Sequence, residues 1–251
     1  MQAIRSLIYV FIFVSWSTFI VILNGILLPF PRSVSQAIIR VWMYVTMWLL
    51  RTIVGLRYEI RGMENIPEGP AIFASKHESA WDTAIYYLLD CDPAYILKKE
   101  LLRIPLYGLT LRKAGHIAID RAGGASTLKQ VIRETRRAFG EGRKVIIFPE
   151  GTRSLPGQPG TYQPGVAAIY KDADVPLIPV ALNSGSFWGR SGYMKYPGCI
   201  VMEVLPPMPQ GLDRKTFMKE LQSQVDSTSE RLRLEGEEKY GLQPATGDLN
   251  D

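Results

Sequence analysis

Between Arg5 and Arg32 the chain runs for 26 residues without a charge, SLIYVFIFVSWSTFIVILNGILLPFP. About 20 apolar residues in a helix cross the hydrocarbon core of a bilayer. A cleaved signal peptide has a shorter apolar stretch and a small-residue cleavage site. Here Asn24, Gly25, Pro29 and Pro31 mark a helix that weakens and then turns, and no A-x-A site is present. The run reads as an uncleaved membrane anchor; the competing reading is a helix pair buried in a core.

A second segment follows, SQAIIRVWMYVTMWLLRTIVGLR. Its uncharged stretch, 41–50, is too short to span. Arg40 and Arg51 are three helical turns apart and share a face, with Trp42 and Trp48 flanking them. The pattern suits a helix at the membrane interface. Either a spanning helix plus a surface helix or a re-entrant hairpin fits. Charge placement agrees. Residues 1–61 hold six arginines and one glutamate, 6 − 1 = +5, which is the whole net charge of the chain. Basic excess on the most hydrophobic segment points to a membrane surface rather than to nucleic acid. No nucleic-acid-binding motif appears. Arginines are denser after the apolar run than before it, which places the rest of the chain in the cytoplasm.

From about Arg57 short apolar runs alternate with helical periodicity. Strands are expected at 57–61, 70–75, 94–98, 116–119, 144–148, 176–182 and 199–205. Helices are expected at 80–90, 100–113, 126–140, 164–172 and 213–238. The alternation predicts an α/β fold, a mostly parallel central sheet flanked by helices. Pro176 and Pro179 make 176–182 an edge or broken strand. The expected organisation is membrane-anchoring or interfacial helices over 1–56, a cytoplasmic catalytic domain over 57–241 and a frayed tail over 242–251. Cys91 and Cys199 stand alone, which argues against a disulfide-stapled secreted protein.

In such folds the site collects beyond the carboxyl ends of the strands. There lies KHESAWD, residues 76–82, with one of only two histidines in the chain. A zinc reading fails: H-E-x-x-H would need histidine where Trp81 stands. The bland account of Asp82 is an acid in the first turn of a helix capped by Ser79, but it leaves His77 unexplained. Positions i and i+5 diverge by about 140° on one helix, so the two side chains meet only if His77 lies in the loop and Asp82 in the first turn. An aspartate on one ring nitrogen fixes the tautomer and leaves the other nitrogen as a base. No G-x-S-x-G elbow, P-loop or dinucleotide fingerprint is present. A base without a protein nucleophile suits direct activation of a substrate hydroxyl. In FPEGTRS, 148–154, Arg153 beside Gly151 and Thr152 suits a phosphate; a plain charged turn is the alternative. AIDRAGG, 118–124, ends another strand at Arg121.

Four stretches, in this order, resemble the glycerolipid acyltransferase family, and within it the lysophosphatidic acid acyltransferase branch. They are His77 with Asp82, KKELLRIPLYG from Lys98 with GHIAIDR ending at Arg121, FPEGTRS, and VPLIPVAL. Lys76 departs from the family, many of whose members carry asparagine before the histidine. The resemblance implies transfer of a fatty acyl group from acyl-CoA or acyl-carrier protein to the sn-2 hydroxyl of lysophosphatidic acid, giving phosphatidic acid. It implies His77 as general base, Asp82 as its orienter and no acyl-enzyme. It implies a headgroup site of Arg121, Glu150, Gly151, Thr152 and Arg153, with membrane lipids as surroundings. No metal and no cofactor are expected beyond the acyl donor as co-substrate. A sibling acyltransferase for another lysolipid, or a non-catalytic lipid-binding protein, would carry the same residues.

Overall fold

The computed structural model describes residues 1–89, 92–120, 123–190 and 192–242. Among them seven strands form one sheet: β1 (Leu56–Arg61), β2 (Ile72–Ser75), β3 (Ala94–Lys98), β4 (Ile117–Ile119), β5 (Val145–Ile147), β6 (Leu177–Leu182) and β7 (Gly198–Val204), in the order β1-β7-β6-β2-β5-β3-β4. Every pair is parallel except β6 with β7. A sheet buried on both faces needs apolar side chains on both, and β2, β5 and β6 are buried at every position.

The edge reading of 176–182 is overturned. β6 lies between β7 and β2, with Pro179 in register with Ala74. The ladder with β7 begins only at Val180, and the Pro179 carbonyl accepts from Leu205 N–H (3.0 Å). The donor that proline lacks faces β7, so the Pro179–Leu205 pair keeps one bond of two and the loss falls where that ladder stops, while the pairing with β2 is untouched.

Two helices precede the sheet: α1 (Gln2–Ile26) and α2 (Arg32–Leu49), the latter prolonged by a π-helical turn over Leu50–Val54. The helical run Arg32–Val54 is thus longer than its uncharged centre, and both runs are long and apolar enough to cross a membrane. They clasp each other through Ser35 Oγ donating to Asn24 Oδ1 (2.6 Å) and Trp42 Nε1 donating to Ser17 Oγ (3.0 Å). Their inner faces close one side of the sheet. Tyr9 is fully buried, edge-on to Trp188, and Met43, Met47, Leu50 and Val54 join the core around Phe73, Ile146 and Ile178. Their outer faces stay apolar: Phe11, Val14 and Phe19 on α1, and Val41, Tyr44 and Trp48 on α2, are all more than half exposed.

Between β2 and β3 lies α3 (Tyr86–Leu89); α4 (Tyr107–Lys113) follows β3, and α5 (Gly124–Gly140) follows β4. Then come α6 (Gly165–Asp172), α7 (Ser184–Phe187) and α8 (Arg214–Tyr240). Val131 of α5, Ile169 of α6 and Phe217, Leu221 and Val225 of α8 cover the other face of the sheet. The expected helix 80–90 is only a 3₁₀ turn, Trp81–Thr83, followed by α3. The expected helix 100–113 breaks into a 3₁₀ turn, Lys99–Arg103, and α4. Pro105 is the cause: Ile104 before it is extended (φ −68°, ψ 122°), as a residue preceding proline should be. The expected tail, 242–251, falls outside the described residues except for Leu242.

Candidate active site

β2 ends at Ser75 and the chain turns into a loop that carries the dyad. His77 Nδ1 lies 3.1 Å from Asp82 Oδ2. A carboxylate only accepts, so Nδ1 carries the hydrogen and Nε2 keeps its lone pair. Asp82 is fully buried. Its Oδ2 also accepts from Glu78 N–H (2.7 Å) and Ser79 N–H (2.8 Å), and its Oδ1 accepts from Ser184 Oγ (2.6 Å) at the start of α7. The helix-cap account of Asp82 is thus partly right: the acid ties the loop's own backbone, but around a 3₁₀ turn and with His77 in the same grip.

The loop after β5 holds His77 from the other side. Glu150 Oε2 accepts from His77 N–H (3.2 Å), while Ser154 N–H and Oγ donate to the His77 carbonyl (2.8 and 3.1 Å). Both backbone groups of the histidine are therefore fixed. The Phe148 ring stacks on the imidazole, centroids 4.1 Å apart. Gly151 makes the turn possible: its φ is +72°, a conformation that costs glycine little, and its N–H donates to the Phe148 carbonyl (2.9 Å).

Two further buried charges border the dyad. Lys76 Nζ sits 2.6 Å from Glu150 Oε1 and 3.0 Å from Asp226 Oδ1 of α8. Burial opposes its ammonium, yet the two carboxylates outweigh that and raise its pKa. Glu78 accepts from Gly185 N–H (3.0 Å) and is pushed up to about 8, first by burial and then by the charge of Asp82. It is therefore mostly protonated at pH 7, which leaves Asp82 as the carboxylate in contact with the imidazole.

His77, Glu150, Gly151, Thr152 and Arg153 all line one cavity of about 1880 Å³. Arg153 donates to the Arg190 carbonyl (3.1 Å) and has no carboxylate within 4 Å among the described residues. A guanidinium with donors to spare suits an anionic group. Arg121 lies outside the described residues. Lys98, at the end of β3, also lines the cavity and was not singled out in the sequence. Ser184, 102 residues from Asp82, and the stacked Phe148 were missed too. Phe148 sits inside a quoted motif; for Ser184 no local signal existed.

Comparison with known proteins agrees with this geometry. The family model described as Acyltransferase matches residues 57–183. A 1-acyl-sn-glycerol-3-phosphate acyltransferase of Pseudomonas aeruginosa is 37% identical over 211 residues, covering 82% of this chain and 81% of that protein. Another from Chlamydomonas reinhardtii is 31% identical over 156 residues, 59% of this chain and 46% of that one. The crystal structure of PlsC, the 1-acyl-sn-glycerophosphate acyltransferase of Thermotoga maritima, shares the fold, with a TM-score of 0.74 at 23% identity over 93% of this chain and 98% of that one. The family model over residues 57–183 and the Pseudomonas relative, 37% identical over most of both chains, place this chain in the acyltransferase family.

Proposed function

We propose that the protein transfers a fatty acyl group from an acyl thioester, carried by CoA or acyl-carrier protein, to the sn-2 hydroxyl of 1-acyl-sn-glycerol-3-phosphate, forming phosphatidic acid. The observation that carries this reading is the His77–Asp82 pair, with the far side of the imidazole on the cavity. His77 Nε2 takes the hydroxyl proton as the oxygen attacks the thioester carbonyl. Asp82 stabilises the imidazolium that forms. The tetrahedral intermediate collapses, the C–S bond breaks, and the imidazolium returns the proton to the leaving thiolate. The acyl group passes directly to the acceptor, so no enzyme nucleophile is required.

Arg153 holds the acceptor phosphate through charge-assisted hydrogen bonds, and Arg121 is proposed to share that load. Glu150, Gly151 and Thr152 shape the loop that carries Arg153. The hydrophobic tail of the acceptor comes from a bilayer. The exposed apolar faces of α1 and α2 seat the protein in lipid, with the α/β portion on the cytoplasmic side where the thioester donor is available.

The test uses membranes containing the protein, labelled acyl-CoA and a panel of lysophospholipids, beside His77→Ala. Phosphatidic acid made from lysophosphatidic acid by the wild type alone is the expected result. Transfer to a different acceptor keeps the mechanism and changes the substrate. Full activity in His77→Ala ends the reading of His77 as base.

A further inference from the structure

The cavity that His77 lines has residues from both faces of the sheet in its wall. One arm runs beneath α1 and α2, past Ile20, Met43 and Tyr87; the other lies on the opposite face of the sheet, between α5 and α6. The reaction proposed above, on which this inference rests, brings two long substrates to one nitrogen. The lysolipid arrives from the bilayer, on the side of α1 and α2. We propose that the arm between α5 and α6 holds the pantetheine chain of the acyl donor, with Lys171 and Arg214 at its outer end binding the phosphate of the carrier group.

Three observations support it. First, α6 starts at the catalytic loop and leads away from it: Gln163 N–H donates to the Pro149 carbonyl (2.7 Å), and Gln163, Pro164 and Gly165 line the cavity. From Gly165 to Lys171 the helix rises about 9 Å, carrying the wall from the reacting atoms to a charged end. Second, that wall is kept low. Gly165 and Ala168 share a face and both line the arm, and a Cβ at Gly165 would meet nothing within 4 Å. A narrow amide-bearing chain fits such a floor. Third, the outer end is basic and uncommitted. Lys171 and Arg214 are exposed, line the cavity and have no carboxylate within 4 Å among the described residues. The nearest carboxylates in sequence are occupied: Asp172 pairs with Arg136, and Asp213 caps α8 through Lys215 N–H (2.9 Å) and Thr216 N–H (3.2 Å). Lys215 and Lys219 extend the strip beyond Arg214, with Glu220 the acid among them.

Coenzyme A and acyl-carrier protein both present a pantetheine bearing a phosphate; coenzyme A adds nucleotide phosphates. The test measures donor and acceptor KM separately, with acyl-CoA and with acyl-carrier protein, for the wild type, Gly165→Phe and the double variant Lys171→Glu/Arg214→Glu. Gly165→Phe should raise the donor KM about tenfold for both donors, equivalent to ~1.4 kcal/mol, and leave the lysophosphatidic acid KM within about twofold. The double variant should raise the donor KM and lose most of the salt dependence seen in the wild type. A rise with acyl-CoA alone assigns the basic end to nucleotide phosphates; a rise with both donors assigns it to the shared phosphate. An unchanged donor KM in both variants, or a rise confined to the acceptor KM, overturns the proposal. Binding of free coenzyme A, measured by calorimetry on the same proteins, separates the two failures. If the wild type transfers nothing yet binds coenzyme A, and Gly165→Phe weakens that binding, the acyltransfer reading falls and the arm stands. Coenzyme A binding that Gly165→Phe leaves untouched, or no binding at all by a wild type inactive with both donors, removes the arm.

Discussion

Replacing Asp82 by asparagine separates its two roles, because the structure dictates how the amide must sit. Three donors converge on Oδ2: His77 Nδ1–H, Glu78 N–H and Ser79 N–H. An NH2 there would face all three. Oδ1 meets only the Ser184 hydroxyl, which can rotate to accept. The asparagine oxygen therefore takes the Oδ2 position and the NH2 takes the other, keeping the loop, the histidine orientation and the tautomer. What disappears is the negative charge opposite the imidazolium. At about 4 Å between charge centres and an effective dielectric constant near 20, that interaction is ~4 kcal/mol, or about a thousandfold in kcat. Purified enzyme is assayed for kcat under saturating donor and acceptor, with thermal melting as the control. The expected outcome is a melting temperature close to wild type and a kcat about three decades lower. If Asp82 were only a cap for its loop, asparagine, an equally good cap, would be nearly silent. A kcat within tenfold of wild type would falsify the electrostatic role.

The neighbouring acids and bases give three further outcomes. Glu78 has a folded pKa of about 8 against an ordinary value of 4.5, raised by burial and by Asp82. The folded state then holds a proton that the unfolded chain releases, so this group's stabilising contribution is present below pH 4.5 and is lost as pH rises toward 8. Glu78→Gln should therefore melt increasingly above wild type as pH goes from 5 to about 8, with the gap then levelling; a gap independent of pH refutes it. Arg153→Ala should raise the lysophosphatidic acid KM more than the donor KM, and an unchanged acceptor KM would remove it from the headgroup site. Ser184→Ala takes one donor from a buried carboxylate, a loss of about 1–3 kcal/mol. It should lower the melting temperature by several degrees and reduce kcat less than Asp82→Asn does; a larger kcat loss than that variant would contradict the assignment of charge to Asp82.

Much of the sheet was legible because a strand buried on both faces is written as a short apolar run, and 94–98 matches β3 residue for residue. The misplaced strand, 176–182, failed on a non-local fact. That the donor missing at Pro179 faces only the last pair of the β7 ladder depends on residues more than 20 positions later, and nothing within the segment records it. The broken helices failed for different reasons. Pro105 was visible in the sequence and was underweighted. At 80–90 the apolar periodicity was real, since Trp81, Ala84, Ile85 and Tyr86 are all buried, but Asp82 uses the backbone N–H groups of Glu78 and Ser79 to hold a loop. A helix beginning there would have carried His77 away from Asp82, so propensity yielded to the site.

The His77–Asp82 pairing was legible because five residues separate its members and one loop can join them. Most of its support was not, because it comes from segments distant in sequence: Glu150, Ser154 and Phe148 from the loop after β5, Ser184 from the turn after β6, Met47 from α2. The Met47 contact joins the two halves of the molecule. Trp81 Nε1 donates to Met47 Sδ at 3.2 Å, and Trp81 is 1% exposed. The residue beside Asp82, the proposed partner of the base, is thus packed onto a helix whose outer face is aromatic and exposed. An anchor that merely tethered a soluble enzyme would have no reason to share a core with its catalytic loop. Here α1 and α2 supply one wall of the cavity that His77 lines and a buried contact to Trp81, the neighbour of Asp82. Removing them would expose Trp81, Tyr86 and Phe73 and open the cavity to water, so they belong to the proposed active site as well as to the proposed membrane contact.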